Sequence, residues 1–253
     1  MLIDIHTHIL PGIDDGAADE TIAFQMLKRA YEEGTGILVA TPHYHCHMGG
    51  SWEEKRQAAY DRVCHMAAEI SPDLQILLGA ELFYESGLLE DLKSGKYLTL
   101  NHTHAILVEF PLDVRYLYIK NAILSLQSIG YSPVLAHVER YSALANVDRV
   151  EELADMGVKI QVNADSVTGK NGWRLKKRMM QLMREDLIDL VATDTHDLIR
   201  RPPGMQSCEK YLNRKMSSDY CKKVCQDNAL KLLFCEARNK YNLLPIGKVN
   251  VNL

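Results

Sequence analysis

Short apolar segments alternate with amphipathic stretches along most of the chain, and this alternation restricts its fold more than any other feature. Each apolar segment is rich in Ile, Val and Leu and is bordered by turn residues, a pattern typical of buried strands. The predicted strands are residues 2–6, 36–41, 75–81, 104–110, 133–138, 158–164 and 187–194.

The stretches between these strands have helical periodicity, and repeated strand, helix, strand units indicate a parallel sheet with helices outside it. An open doubly wound sheet usually carries a Gly-rich phosphate-binding turn after its first strand, whereas THILPGIDDG contains no GxGxxG motif. Seven strands in a chain of this length therefore favour a closed or nearly closed barrel. The predicted helices are residues 19–33, 52–70, 116–129, 147–156, 173–185 and 206–237.

The chain is predicted to form one domain, residues 1–253, because no linker rich in Gly, Ser or Pro divides it. Residues from about 242 to 253 lack helical periodicity, so we expect them to form an extended arm or a frayed C-terminal tail. The net charge of -4 gives no support to a nucleic-acid-binding protein, which needs clustered Lys and Arg in excess.

The N-terminus has neither the basic start nor the long apolar stretch of a signal peptide, and no segment is apolar enough to cross a membrane. We therefore expect a cytoplasmic protein without membrane insertion, whose six cysteines are reduced thiols. Cys221 and Cys225 lie one helical turn apart and could share a metal ion. A structural zinc site needs four ligands, however, and no second close pair of cysteines completes one.

Side chains that bind metals occur where the predicted strands end. The carboxyl ends of parallel strands meet at one mouth of a β/α fold, so residues distant in sequence would converge there. His6 and His8 point the same way if the chain is extended, as do Asp194 and His196. Imidazole and carboxylate together suit zinc, manganese or iron, and this many ligands implies two or three ions. The candidate ligands are His6, His8, Asp14, His43, Glu81, Glu109, His137, Asp194 and His196, with Asp15 in the same loop as Asp14.

Simpler explanations exist for single members of this set. One histidine at a strand end is usually only a polar boundary residue, and Glu81 and Glu109 could form structural ion pairs. The joint occurrence of so many ligand-type residues at strand ends favours a metal cluster. His45 and His47 continue the HYHCH alternation and could compete for metal, but a polar loop is the favoured interpretation.

The segment CEKYLNR, from Cys208 to Arg214, satisfies the Cys-x5-Arg pattern of thiolate-dependent tyrosine phosphatases. That phosphate-binding loop needs tight turns, which usually contain glycine. The heptad has no glycine and predicts a helix, so we interpret the match as a coincidence.

The ordered motifs resemble those of the PHP (polymerase and histidinol phosphatase) superfamily: HTH at 6–8, TPH at 41–43, AHVER at 136–140 and TDTH at 193–196. More specifically, DIHTHILPGIDDGA, GAELFY and DTHDLIRRPP look like the bacterial capsular-polysaccharide protein-tyrosine phosphatases. The likeness extends from residue 4 to residue 203. The chain departs from the family where Val138 replaces a frequent Pro, and where Thr195 and Asp197 flank His196 in place of Ala and Asn.

The resemblance implies a distorted (β/α)7 TIM-like barrel of the PHP type that holds three divalent ions, most commonly manganese, with iron, zinc or magnesium as alternatives. It implies that Arg140 and Arg201 bind the phosphate. It assigns His6, His8, Glu81 and Asp194 to one ion, Glu81, Glu109 and His137 to a second, and Asp14, His43 and His196 to a third.

The activity implied by the resemblance is hydrolysis of phosphotyrosine on a bacterial tyrosine autokinase of capsular or exopolysaccharide biosynthesis, by attack of a metal-activated hydroxide. The resemblance does not determine the oligomeric state, and a homo-oligomer is one alternative. One alternative is a small-molecule phosphomonoesterase such as a histidinol phosphatase. Another is a noncatalytic phosphotyrosine-binding regulatory module, whose expected mark is a missing ligand, and none is missing.

Overall fold

The computed structural model describes residues 1–96 and 98–234. The predicted tail at 242–253 and Cys235 lie outside the described residues. The strands are β1 (Leu2–Thr7), β2 (Thr35–Ala40), β3 (His43–Tyr44), β4 (Gln75–Leu78), β5 (Glu81–Phe83), β6 (Ala105–Glu109), β7 (Ser132–Leu135), β8 (Lys159–Asn163) and β9 (Leu190–Ala192).

Helices follow most of the strands, as expected for β/α units. Short 3-10 turns lie at Leu100–His102, Val138–Arg140 and Ser142–Leu144, and a π turn lies at Lys223–Asp227. The α-helices are α1 (Glu20–Glu32), α2 (Ser51–Ile70), α3 (Leu88–Lys93), α4 (Tyr116–Ser128), α5 (Val147–Asp155), α6 (Ala164–Thr168), α7 (Trp173–Arg184), α8 (Met205–Lys215), α9 (Ser218–Lys222) and α10 (Asn228–Phe234).

All strand pairs in the described residues are parallel, in the orders β1-β2-β4 and β3-β5-β6-β7-β8-β9. β3 continues the path of β2, and β5 continues β4, so the strands form seven runs. At the other edge, the His8 N–H donates to the Thr195 carbonyl and the Asp194 N–H donates to the His6 carbonyl, both at 2.9 Å. The sheet is therefore curled, with its first and last strands in contact, which confirms the predicted barrel class.

The predicted strand 75–81 is divided into β4 and β5 at Gly79. A Cβ atom on Gly79 would lie 2.8 Å from Leu100 Cδ2, so a larger residue here would require the buried Leu100 side chain to move. The Gly79 N–H still donates to the Ala40 carbonyl at 2.8 Å and keeps the two runs side by side. The break turns the chain so that Glu81 opens β5 at the mouth of the barrel.

The predicted helix 206–237 is interrupted as far as the structure describes it. α8 ends at Lys215, and the Ser217 side chain caps α9 by accepting the Tyr220 N–H at 3.1 Å. The Cys208 to Arg214 heptad lies inside α8, as predicted, and cannot form a phosphate-binding loop. α3 and α6 were not predicted because each is too short to show helical periodicity.

The residues beneath the mouth form a buried apolar cluster. Ile5, Val39 and Leu107 come from three strands and are fully buried. Leu233 of α10 belongs to the same cluster, so α10 packs against the strands. This packing, which removes apolar surface from water, holds the strand ends in a fixed arrangement for the polar side chains above it.

Candidate metal centre

Four buried side chains from the first, third and last runs of the sheet converge at the mouth. One ligand atom each from His6, His8, Glu81 and Asp194 lies within 4.8 Å of the others. The Glu81 Oε2 atom is 3.1 Å from His6 Nε2 and 3.3 Å from His8 Nε2. Asp194 Oδ1 is 3.5 Å from each of the same two nitrogens. This first group is the set that the sequence analysis assigned to one ion.

The orientation of the two histidines fits a bound cation. His6 Nδ1 faces Gln161 Oε1 at 3.3 Å, and His8 Nδ1 faces Asp14 Oδ2 at 2.7 Å. When both Nδ1 atoms donate their protons, the Nε2 atoms, 3.2 Å apart, direct lone pairs at each other. Glu81 Oε2, between them, is buried and has no hydrogen-bond partner. Buried lone pairs and a carboxylate that converge in this way are suited to a divalent metal ion.

A second group shares Glu81. His43 Nδ1 lies 3.1 Å from Glu81 Oε2 and 3.2 Å from Glu109 Oε1. His137 Nε2 lies 2.9 Å from Glu81 Oε1 and 3.6 Å from Glu109 Oε2. The three residues predicted for the second ion are thus together, with His43 as an additional neighbour. Glu81 is placed to bridge the first and second groups.

The third group contains His8, Asp15, His43 and His196. Asp15 Oδ1 lies 3.3 Å from both His43 Nε2 and His196 Nε2. The Nδ1 atom of His196 is 2.8 Å from the Asp194 carbonyl oxygen, which leaves His196 Nε2 buried without a hydrogen-bond partner and directed at the group. A cation among these atoms would supply that missing partner.

Asp14 lies behind this third group. Its Oδ2 atom contacts His8 Nδ1 and accepts the His43 N–H at 3.0 Å, while Oδ1 accepts the Gly16 N–H at 3.0 Å. The structure therefore brings Asp15 to the ring nitrogens of the two histidines, whereas Asp14 holds the ring of His8 and the backbone of His43. The family resemblance implies Asp14 as the ligand of this ion, and both Asp14 and Asp15 were expected to reach the mouth from the loop after the first strand.

Arg140 and Arg201 lie at the rim of the three groups and are about one third exposed. Arg140 Nη1 is 3.4 Å from Asp194 Oδ2, and Arg201 Nη1 is 3.6 Å from Asp194 Oδ1. Arg201 Nη2 also donates to Asp15 Oδ2 at 3.1 Å. Both guanidinium groups line a cavity of about 460 Å³, together with Arg200, Leu112, Leu175 and other residues. A cationic entrance thus adjoins the buried carboxylates.

Comparison with known proteins identifies the family. Residues 2–234 match the capsular polysaccharide synthesis family CpsB/CapC. The chain belongs to this family. It is 34% identical over 238 residues to the tyrosine-protein phosphatase CpsB of Streptococcus pneumoniae, covering 92% of this chain and 98% of CpsB. It is 33% identical to the tyrosine-protein phosphatase YwqE of Bacillus subtilis, with 86% of each chain covered.

Solved structures agree with this assignment of the CpsB/CapC chain. A structure from the work on YwqE of Bacillus subtilis and CpsB of Streptococcus pneumoniae, described as unique metal-dependent tyrosine phosphatases, superposes with a TM-score of 0.84. It is 31% identical and covers 92% of this chain and 94% of its own. The phosphotriesterase homology protein of Escherichia coli, 9% identical, has a TM-score of 0.60, covers 92% of this chain and 98% of its own, and supports the fold alone.

In the metal centre of this CpsB/CapC chain, hydrogen bonds and nearby charges shift pKa values in the direction opposite to the effect of burial. Burial alone lowers the pKa of His8, but hydrogen bonds to Asp14 and Glu81 outweigh it and raise that pKa to about 9. Burial raises the pKa of Asp194, yet the nearby imidazoles bring it down to about 2. Asp194 is thus ionised at neutral pH, and a metal ion that binds His8 competes with a proton for the imidazole.

Gln161 and Asn163 of β8 support this CpsB/CapC site, and the sequence analysis did not identify them. Gln161 Oε1 faces His6 Nδ1 and accepts the His137 N–H at 2.8 Å. The Nε2 of Gln161 donates to Asn163 Oδ1 at 3.0 Å, and Asn163 Nδ2 donates to Asp194 Oδ2 at 2.9 Å. The sequence does contain a sign of this role. The apolar segment VKIQVNA carries two amide side chains two residues apart, a spacing that places both on one face of a strand.

Two of the predicted ligands have left-handed backbone conformations, with a φ of 34° at His137 and 55° at Asp194. Residues other than glycine adopt this conformation at a cost of the order of 1 kcal/mol, and such residues occur frequently at functional sites. The Asp194 conformation also ends the last strand earlier than predicted, at Ala192. No group of three or more possible ligands formed by residues 1–96 and 98–234 includes Cys221 or Cys225.

Proposed function

We propose that this chain is a metal-dependent phosphatase that hydrolyses phosphotyrosine in proteins and acts in capsular or exopolysaccharide synthesis. Its relatives CpsB and YwqE are tyrosine-protein phosphatases, about one third identical over nearly the whole chain. The observation that carries the proposal is the position of Arg140 and Arg201. Both approach Asp194, a member of the buried first group, so a phosphoryl group bound by the two arginines would lie beside that group.

Three divalent ions, with manganese as the metal that we favour, are proposed for the three groups. When bound, the ions supply positive charge to the phosphoryl oxygens and acidify a water molecule for attack on phosphorus. Asp15 is the carboxylate nearest to the imidazoles of the third group, and Asp14 remains the alternative ligand. The proposed ligands are His6, His8, Glu81 and Asp194 for the first ion, Glu81, Glu109 and His137 for the second, and His43, His196 and Asp15 or Asp14 for the third.

The chain itself contributes positioning of the substrate. The guanidinium groups of Arg140 and Arg201 can donate paired hydrogen bonds to nonbridging phosphoryl oxygens, exchanging their present carboxylate partners for the substrate. Leu112 and Leu175, in the same cavity, offer apolar surface to an aromatic ring. Because a phenol has a pKa of about 10, phenolate leaves without strong need of a general acid.

The proposed partner is a tyrosine-phosphorylated protein, in particular a bacterial tyrosine autokinase, and the proposed location is the cytoplasm. Among the described residues, the helices are all too short or too polar to span a bilayer. The organisation as one domain stays a prediction.

The test is phosphate release from a phosphotyrosyl peptide and from histidinol phosphate by one preparation, after chelation and again after manganese is restored. We expect manganese-dependent turnover that favours the peptide. A preference for histidinol phosphate would contradict the proposed substrate. Absence of turnover with manganese, iron, zinc or magnesium would contradict the proposed enzyme and favour the noncatalytic module.

A further inference from the structure

A second cluster of metal-binding side chains lies outside the proposed metal centre. His45, His47 and Glu85, called here the rim triad, each offer one ligand atom within 4.8 Å of the other two. His45 and His47 belong to the loop after β3, and Glu85 belongs to the loop after β5. None of the three is a ligand in the proposed function, which therefore does not account for them.

A turn after β3 explains how the triad forms. β3 ends at Tyr44, and the Met48 N–H donates to the His45 carbonyl at 2.9 Å, so the chain turns over the segment that carries His45 and His47. His43 reaches the metal centre. His45 and His47 lie farther along the loop, with their ring centroids 5.4 Å apart.

Neighbouring groups hold two members of the rim triad in place. Glu85 Oε1 accepts the Cys46 N–H at 2.8 Å and lies 3.5 Å from His45 Nδ1. The His45 ring packs on Phe83, with 4.9 Å between the ring centroids. Such fixed orientation of ligands is typical of metal sites, where hydrogen bonds and packing position each donor. The side chains of His45 and Glu85 are each 30% exposed, so an ion can enter from solvent.

We propose that the rim triad binds one divalent late transition-metal ion, of which Zn²⁺ is the representative. Two imidazoles and one carboxylate are a ligand set that suits zinc, whereas magnesium and calcium prefer oxygen ligands alone. Three protein ligands leave a fourth position for water. An ion pair between His45 and Glu85 would account for their contact but not for the approach of His47.

A bound ion would join the loops that follow β3 and β5. β3 carries His43 and ends at Tyr44, and β5 carries Glu81 and ends at Phe83. The rim triad therefore lies within a few residues of a proposed metal ligand on both strands. Occupation of the triad would restrain the two loops relative to each other. This inference does not depend on the proposed phosphatase activity, because it concerns metal content alone.

The experiment is equilibrium dialysis of the full chain against buffered free Zn²⁺, with elemental analysis of the ions bound per chain. The test variants are the double variant H45Q/H47Q and E85Q, whose amide oxygen can still accept the Cys46 N–H. The control is H65Q, which removes an exposed histidine of α2. We expect H45Q/H47Q to bind one ion fewer than the wild type, E85Q to bind that ion at least about 10-fold more weakly, and H65Q to match the wild type.

Two results would overturn the inference. Equal zinc content in the wild type and H45Q/H47Q would show that the triad is only a polar loop contact. Loss of an ion together with manganese-dependent phosphatase activity in H45Q/H47Q would show that the ion belonged to the metal centre. Loss of one ion with phosphatase activity retained supports the rim triad. If the wild type has no phosphatase activity, the proposed function fails, and the zinc counts still decide the triad.

Discussion

The first group of the metal centre and the rim triad use the same kinds of side chain in different environments. His6 and Glu81 in the centre are at most 1% exposed, whereas His45 and Glu85 in the triad are 30% exposed. Buried carboxylates and imidazoles need a compensating charge, since water cannot solvate them. Exposed ones can exchange protons with solvent. We therefore expect an ion in the first group to contribute to the stability of the folded structure, and an ion in the triad to bind to a structure that is already folded.

The largest expected effect comes from the buried group. We expect His6→Ala to lower metal content and to reduce phosphotyrosyl-peptide hydrolysis to background, because the buried first group then has one ligand fewer for its ion. Elemental analysis and phosphate release measure the two quantities. His45→Ala is the matched comparison and should retain activity. A His6→Ala protein with wild-type turnover would remove the distinction between centre and rim.

The second effect concerns the arginines at the edge of the centre. We expect Arg140→Ala to lower kcat/KM about 100-fold, since a charge-assisted hydrogen bond contributes about 1.5–3 kcal/mol and each 1.4 kcal/mol is tenfold in rate. Metal content should not change, and Arg140→Lys should recover part of the activity. Arg174→Ala, an exposed position on α7, is the control. Loss of metal in Arg140→Ala would assign the arginine to the ion sites instead of the phosphate.

The third prediction concerns Gln161, which orients proposed metal ligands and is not itself one of them. Gln161→Leu removes the amide that faces His6 Nδ1 and binds the His137 N–H, so we expect metal affinity to fall about 10–100-fold. Activity should return at high manganese concentration, which a missing ligand would not allow. Gln57→Leu on the exposed face of α2 should behave as the wild type. Activity that does not recover with manganese would indicate a direct catalytic contribution of Gln161.

The smallest effect is expected at Cys208. Burial raises the pKa of its thiol, so the thiolate needed for nucleophilic catalysis is not formed. We expect Cys208→Ser to change kcat less than about twofold and to lower the free energy of unfolding by about 1–3 kcal/mol, because a hydroxyl replaces a buried thiol. Loss of turnover with full metal content would contradict the metal mechanism.

The candidate metal ligands at the mouth could be predicted from the sequence, because parallel β/α units bring strand ends together regardless of their separation in sequence. His6, Glu81 and Asp194 were identified on this basis, and the structure brings them into one group. The barrel class followed from the alternation of strands and helices and is confirmed.

Details that depend on side-chain contacts between distant strands could not be predicted. The positions of Asp14 and Asp15 depend on the loop backbone, where Asp14 accepts the N–H groups of Gly16 and His43. Gln161 acquires its role only through β1 and β7, and periodicity within β8 carries no information about those neighbours. Glu85 joins His45 and His47 for the same reason, since the β5 loop supplies it.

The hydrogen bonds between the ends of the first and last strands have a consequence for biogenesis. His6 and His8 leave the ribosome well before Asp194 and His196, which complete the first and third groups. A nascent chain cannot form the first group until β9 reaches β1. The first group can therefore take up a metal ion only after the sheet has closed, and a chain truncated before residue 194 should emerge without the intact first group however much metal the cell provides.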